Sequence, residues 1–197
     1  MNPSRIVITG SIGSGKSTVS QIIRDLGFKV IDSDKVNKKL LEKGGDNFNA
    51  IKNDPDFSQV FHGDILDKKV LAKLIFSDPK LMDKLNKITH PNIIKTIENE
   101  IEKTKDPYVF IEIPLYYQMP IRFRADKVIF VESDKHIQAQ RLASRDDIDH
   151  SYAIEKINKQ EDLVDERDTD EIIIKNNETL VDLKKNIKTI LKAEKIL

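Results

Sequence analysis

The residues best suited to chemistry lie close together near the start of the chain. Gly10-Ser11-Ile12-Gly13-Ser14-Gly15-Lys16-Ser17 satisfies G-x-x-x-x-G-K-S at every position, with Thr18 following. Only seven glycines occur in 197 residues, and three of them, Gly10, Gly13 and Gly15, fall within six consecutive positions. Clustering of a scarce residue marks backbone that side chains would obstruct. Glycines let successive N–H groups turn inward as an anion nest, and a following helix adds positive potential at its N-terminus. In this arrangement Lys16 reaches the β- and γ-phosphates, and the Ser17 hydroxyl ligates Mg²⁺ beside phosphate oxygens. The motif predicts binding of a nucleoside triphosphate. The competing reading is a glycine-rich strand–helix turn with no ligand.

Two further sets bear on what happens to the triphosphate. Asp32-Ser33-Asp34 follows an apolar strand-like run, at the edge that faces the ligand crevice in open α/β sheets. A carboxylate there can take the proton of an attacking hydroxyl. The alternative is a helix cap, with Ser33 or Asp34 preceding the periodic Val36–Leu40 run. Arg141 and Arg145 are four residues apart and share a helix face. Arginines on a closing segment neutralise phosphate charge, but the same pair also suits a solvated face bonded to Asp146 or Asp147.

Elements must hold these groups. Arg5-Ile6-Val7-Ile8-Thr9 reads as a buried strand, Val19, Ile22, Ile23 and Leu26 as the apolar face of a helix stopped by Gly27, and Lys29-Val30-Ile31-Asp32 as a second strand. Strand, loop, helix and strand in about 30 residues make a βαβ unit and a parallel sheet. Residues 35–105 carry mostly helical periodicity, including Val70, Leu71, Leu74, Ile75 and Ile93, Ile94, Ile97, Ile101. Pro79 and Pro91 fit helix starts, which makes His90-Pro91 a cap and start between helices. Phe48, Phe57, Phe61 and Phe76 are expected in the core of this insertion. Tyr108–Ile113, Lys127–Val131 and Glu171–Lys175 read as further strands, the last followed by a helix through Leu180, Leu183, Ile187 and Ile190. Glu112 suits either a strand-end solvent contact or a Mg²⁺-bound water. The 134–168 segment is polar and expected to be helical, and the acidic stretch from Glu161 to Glu171 reads as a solvated segment.

Composition narrows the class. Lys plus Arg and Asp plus Glu are 33 each, so the net charge is zero, which argues against a general nucleic-acid binder. No cysteine occurs, excluding disulfides and Cys-ligated metal sites. Neither a signal-peptide pattern nor an apolar run of about 18 residues is present, so a cytoplasmic protein without a membrane partner is expected.

These motifs, in order, make the sequence resemble the dephospho-CoA kinase family along nearly its whole length. The carrying segments are Ile8 to Thr18, Val30-Ile31-Asp32-Ser33-Asp34, Leu71-Ala72 to Ile75-Phe76, Ile88-Thr89-His90-Pro91-Asn92-Ile93, Ile113-Pro114-Leu115, and Gln138-Ala139-Gln140-Arg141-Leu142 to Arg145-Asp146 with Gln160 following. The resemblance implies an α/β P-loop core of 1–34, 106–133 and 169–197, a helical acceptor domain of 35–105 and a lid of 134–168. It implies ATP-dependent phosphorylation of the ribose 3′-hydroxyl of dephospho-CoA, with ATP and Mg²⁺, in a monomer or weak homo-oligomer. Asp34 matches the catalytic base, Lys16 the phosphate lysine, and Arg141 and Arg145 the lid arginines. Gly10, Gly13, Ser14, Gly15, Lys16, Ser17 and Thr18 match the nucleotide loop, Asn176 an adenine-side contact, and Asp32, His90 and Pro91 the acceptor side.

The chain departs from the family pattern in three places: Ser11 replaces a second glycine, Tyr116-Tyr117-Gln118 replaces L-x-E, and the late A-D-x-x-I-x-N survives only as Asp170 to Asn176. Another P-loop nucleoside or nucleotide kinase is the nearest alternative. A nucleotide switch is a more distant one, since Asn37-Lys38-Lys39-Leu40 lacks the aspartate of a guanine-reading motif.

Overall fold

The computed structural model describes residues 2–119, 122–161 and 170–197. The chain forms two compact units, one from Met1–Ile31 with Lys105–Leu197 and one from Asp32–Thr104.

In the first unit the apolar run becomes β1 (Ser4–Gly10), followed by α1 (Lys16–Asp25) and β2 (Lys29–Asp32). Gly27, at φ +94°, ends α1 with its N–H on Arg24 O at 2.9 Å. The later runs become β5 (Tyr108–Glu112), β6 (Lys127–Glu132) and β7 (Ile172–Lys175). Sheet order is β2-β5-β1-β6-β7, and β1 lies in parallel register with both β5 and β6. Ile8 pairs with Glu112 on one side and Ile129 on the other, so β1 delivers the phosphate loop to the middle of the sheet's carboxyl edge. Strands covered on both faces read as continuous apolar runs, which is why no alternation shows in the sequence. Val19, Ile22 and Ile23 of α1 pack with Leu183, Ile187 and Leu191 of α8 (Leu180–Ala193) over Ile6, Ile8 and Ile129.

The polar segment after β6 forms α6 (Lys135–Asp146) and α7 (His150–Glu161). Ala139 and Leu142 face Ala153 and Ile157 between them. Most of the acidic stretch read as solvated, 162–169, lies outside the described residues.

The second unit holds α2 (Ser33–Leu40), α3 (Asp46–Lys52), a 3₁₀ segment (Pro55–Val60), a small hairpin of β3 (Phe61–His62) and β4 (Ile65–Leu66), α4 (Lys68–Ser77) and α5 (Pro79–Glu102). Its core gathers Ile51, Phe57, Val60, Leu71 and Leu85. Asp67 and Asp78 cap α4 and α5, each accepting two backbone N–H bonds.

Three expectations are corrected here. Pro79 does start α5, but Pro91 lies inside that 24-residue helix rather than opening another. In the turn around it, Thr89 Oγ1 donates to Leu85 O at 2.9 Å and Asn92 Nδ2 to Ile88 O at 3.4 Å. Phe76 is 80 % exposed. Leu71, Leu74 and Ile75 take the inward face of α4, and the next residue turns about 100° away from it. The cap of α2 is neither Ser33 nor Asp34 but Asp32, whose Oδ1 accepts from Lys35 N at 3.1 Å. The strand stops at that carboxylate, and Asp34 lies on the helix that follows.

Candidate active site

The phosphate loop spans the gap between β1 and α1. Gly15 is the N-cap of α1 at φ +90°, and a Cβ there would lie 2.2 Å from Asn176 Nδ2. A side chain at this position is excluded by conformation and by contact. No side chain caps α1 and no acidic residue occupies its first turn. That helix end therefore fits an anion, since its orphan N–H groups and dipole both favour negative charge. Lys16 folds back along the loop, and its Nζ donates to Gly10 O and Ser11 O at 2.9 Å each. Ser17 and Thr18 lie exposed in the first turn of α1. Ser14 is fully buried, and among the described residues its Oγ has no hydrogen-bond partner.

The loop is held from behind by residues remote in sequence. Asn176 is 5 % exposed, and its Nδ2 donates to Ser14 O at 2.8 Å. Arg141 Nη1 donates to Ser133 Oγ at 3.2 Å and to Ser14 O at 3.4 Å, and Nη2 reaches Asn176 Oδ1 at 3.5 Å. The two arginines separate at this point. Arg145 is exposed and forks onto Asp146, with bonds of 2.8 and 3.2 Å. This pair holds the Asp146 carboxyl below the usual carboxylate range and raises the guanidinium.

Asp32, Asp34, His90 and Pro91 belong to the second unit. Asp34 is exposed in the first turn of α2. His90 is half-buried, and desolvation lowers its pKa from 6.5. Glu112, read as a possible solvent contact, is instead buried at 8 % exposure.

Beside the loop lies a cavity of about 360 Å³ lined by Ser11, Leu115, Tyr117, Gln118, Gln138 and Gln160 among others. Tyr117 donates to Glu171 and its ring carries the Arg122 guanidinium at 5.1 Å, so the Tyr116-Tyr117-Gln118 departure forms part of this wall. Gln138 and Gln160 lie on the polar helical segment after β6, where helical spacing alone does not show that they touch the loop. For a divalent cation, no group of three or more His, Asp or Glu exists among the described residues. The Ser17 hydroxyl, exposed in the first turn of α1, is the group that the sequence offers for such an ion.

A phosphate loop in the middle of the carboxyl edge of a five-stranded parallel sheet flanked by helices is the core fold of the P-loop kinases. Shikimate kinase from Acinetobacter baumannii shares this fold at a TM-score of 0.53, with 17 % identity, 99 % of this chain and 96 % of that one covered. The family model of dephospho-CoA kinase (CoaE) matches residues 5–182, and the chain belongs to that family. Dephospho-CoA kinase of Fusobacterium nucleatum is 36 % identical over 92 % of this chain and 94 % of that protein. The Halalkalibacterium halodurans dephospho-CoA kinase is 31 % identical over 98 % and 97 %. Dephospho-CoA kinase from Campylobacter jejuni, a solved structure, superposes with a TM-score of 0.62 at 25 % identity, covering 98 % of both chains.

Proposed function

We propose that the chain transfers the γ-phosphoryl group of ATP to the ribose 3′-hydroxyl of dephospho-CoA, giving CoA and ADP in the last step of CoA biosynthesis. The observation that carries this reading is the phosphate loop with its uncapped α1 terminus and inward Lys16, in a chain of the dephospho-CoA kinase family. The acceptor oxygen forms a bond to γ-phosphorus as the bridging bond to the β-phosphate breaks, and the hydroxyl proton passes to a base. Asp34 is that base. The N–H groups from Gly13 to Thr18 hold the phosphates. Lys16 exchanges its two carbonyl acceptors for β- and γ-oxygens, where a cation gains more from a developing anion.

Magnesium would be held by Ser17 and would supply charge neutralisation across the β- and γ-oxygens. Arg141 adds positive charge from behind the loop. Arg145 is the second cation, and leaving an exposed partner such as Asp146 costs it little in water. The 35–105 region serves the acceptor, with Asp32, His90 and Pro91 on that side, and 134–168 serves as lid. Asn176 reaches the adenine side through the loop it supports. The reading places the activity in the cytoplasm, on a small-molecule acceptor rather than nucleic acid or membrane, in a monomer or weak homo-oligomer. Among the described residues no helix is long and apolar enough to cross a membrane.

The decisive assay supplies ATP and Mg²⁺ with dephospho-CoA, AMP, shikimate or uridine in turn. CoA should form, with little turnover of the other three. Phosphorylation of AMP without formation of CoA would sink the acceptor assignment.

A further inference from the structure

We infer that Gln138 and Gln160 are positioning residues that set the first turn of the phosphate loop from α6 and α7. This deepens the kinase reading above and rests on its assignment of that loop to ATP.

Three consecutive loop residues are each engaged by those helices. Ser11 Oγ accepts from Gln138 Nε2 at 3.2 Å. The N–H of Ile12 donates to Gln160 Oε1, while the Ile12 side chain packs against the cluster of Ala139, Leu142, Ala153 and Ile157. Gly13 sits at φ +75° so close to α6 that a Cβ would lie 2.6 Å from Gln138 O. Backbone, apolar side chain and two amides therefore seat the same turn on one helix pair.

Gln138 carries a cost that stability does not explain. It is 3 % exposed, and its Nε2 also donates to the Ser133 carbonyl. A carbonyl only accepts, so the amide cannot be turned over, and Oε1 is left buried with no partner among the described residues. An orphaned buried acceptor destabilises a fold, and a leucine of similar size would remove it. What the glutamine supplies is the placement of Ser11 and Ser133. Phosphates are gripped by the positions of successive loop N–H groups, so a turn displaced by a fraction of an ångström loses hold of the triphosphate. The acceptor's affinity has no reason to change.

The test uses the full chain with MgATP and dephospho-CoA, comparing Gln138→Leu, Gln160→Met, Ser11→Gly and the Ser11→Gly/Gln138→Leu double variant. Gln138→Leu should melt close to the wild type, because the orphaned acceptor goes together with the two Nε2 bonds. KM for ATP should rise about tenfold in Gln138→Leu and in Gln160→Met, the scale of one hydrogen bond. KM for dephospho-CoA should stay within about twofold of the wild type. The double variant should be no worse than Gln138→Leu alone, because both changes remove the same bond. An active wild type whose two glutamine variants keep its KM for ATP overturns the inference. So does a parallel fall in melting temperature with both KM values raised alike, which marks a purely structural role. If the chain makes no CoA but nucleotide titration shows Kd for MgATP about tenfold weaker in both glutamine variants than in the wild type, the inference stands and the acceptor assignment falls instead.

Discussion

Asp34 lies in the first turn of α2 while its neighbour Asp32 takes the capping bond, so the cap of that helix does not depend on Asp34. Replacing it should harm chemistry more than it disturbs that cap. Asp34→Asn is expected to lower kcat by about 10²-fold, with little change in melting temperature or ATP affinity. Steady-state kinetics beside a thermal melt check this, and an unchanged kcat removes Asp34 from the mechanism. His90 yields a prediction of a different kind. Burial lowers its pKa below 6.5, so the unfolded chain binds the proton more readily than the native one. Its contribution to stability is complete above that value and is lost as pH falls toward the folded-state pKa. The urea midpoint of the wild type should decline on acidification below about pH 6.5, and His90→Asn should flatten that limb. An unaltered slope would show that another group governs it.

Helix α5 shows how an element can run through a residue that should break it. Pro91 offers no N–H to Lys87 O, and an interior proline costs about 3 kcal/mol relative to alanine. The helix persists because Leu85, Ile97 and Ile101 are buried along it. Asn92 Nδ2 also donates to Asn47 Oδ1 at 2.9 Å, tying that turn to α3. Pro91→Ala should raise the unfolding free energy by about 1–3 kcal/mol in urea titrations. If the helix's local course shapes the acceptor side, the same substitution should raise KM for dephospho-CoA and leave KM for ATP in place. A stabilised variant with both KM values unchanged would take Pro91 out of acceptor binding.

At the scale of the molecule, zero net charge conceals a local division of labour. Lys16 and Arg141 both bond to loop carbonyls, while Asp54 and Asp56 hold Lys84 in the other unit. A focused anion site needs no overall excess of positive charge. Because the loop belongs to the native state alone, MgATP should stabilise the whole fold by about 2.7 kcal/mol at a concentration of 100 Kd. A thermal shift assay should record this for the wild type, show its loss in Lys16→Ala, and show most of it abolished by a chelator. An equal shift in Lys16→Ala would mean that the nucleotide binds elsewhere.

The sequence by itself determined whatever is carried by neighbours along the chain. The phosphate loop, the βαβ unit around it, the three later strands and the start of α5 at Pro79 follow from local spacing, turn residues and apolar period. Local signals mislead at Pro91 and Phe76, because burial of the rest of α5 outweighs a local breaker and because helical phase, not apolarity, decides which residues face inward. Tertiary structure alone decided what holds the loop. Asn176 meets Ser14 across 162 positions, Gln160 meets Ile12 across 148, and Arg141 meets Ser14 across 127. Those meetings follow from the strand order that sets β6 beside β1 and β7 beside β6, and from the rotation of α6 and α7 about their axes. Neither is written in any short stretch of residues, since each depends on which distant surfaces bury one another.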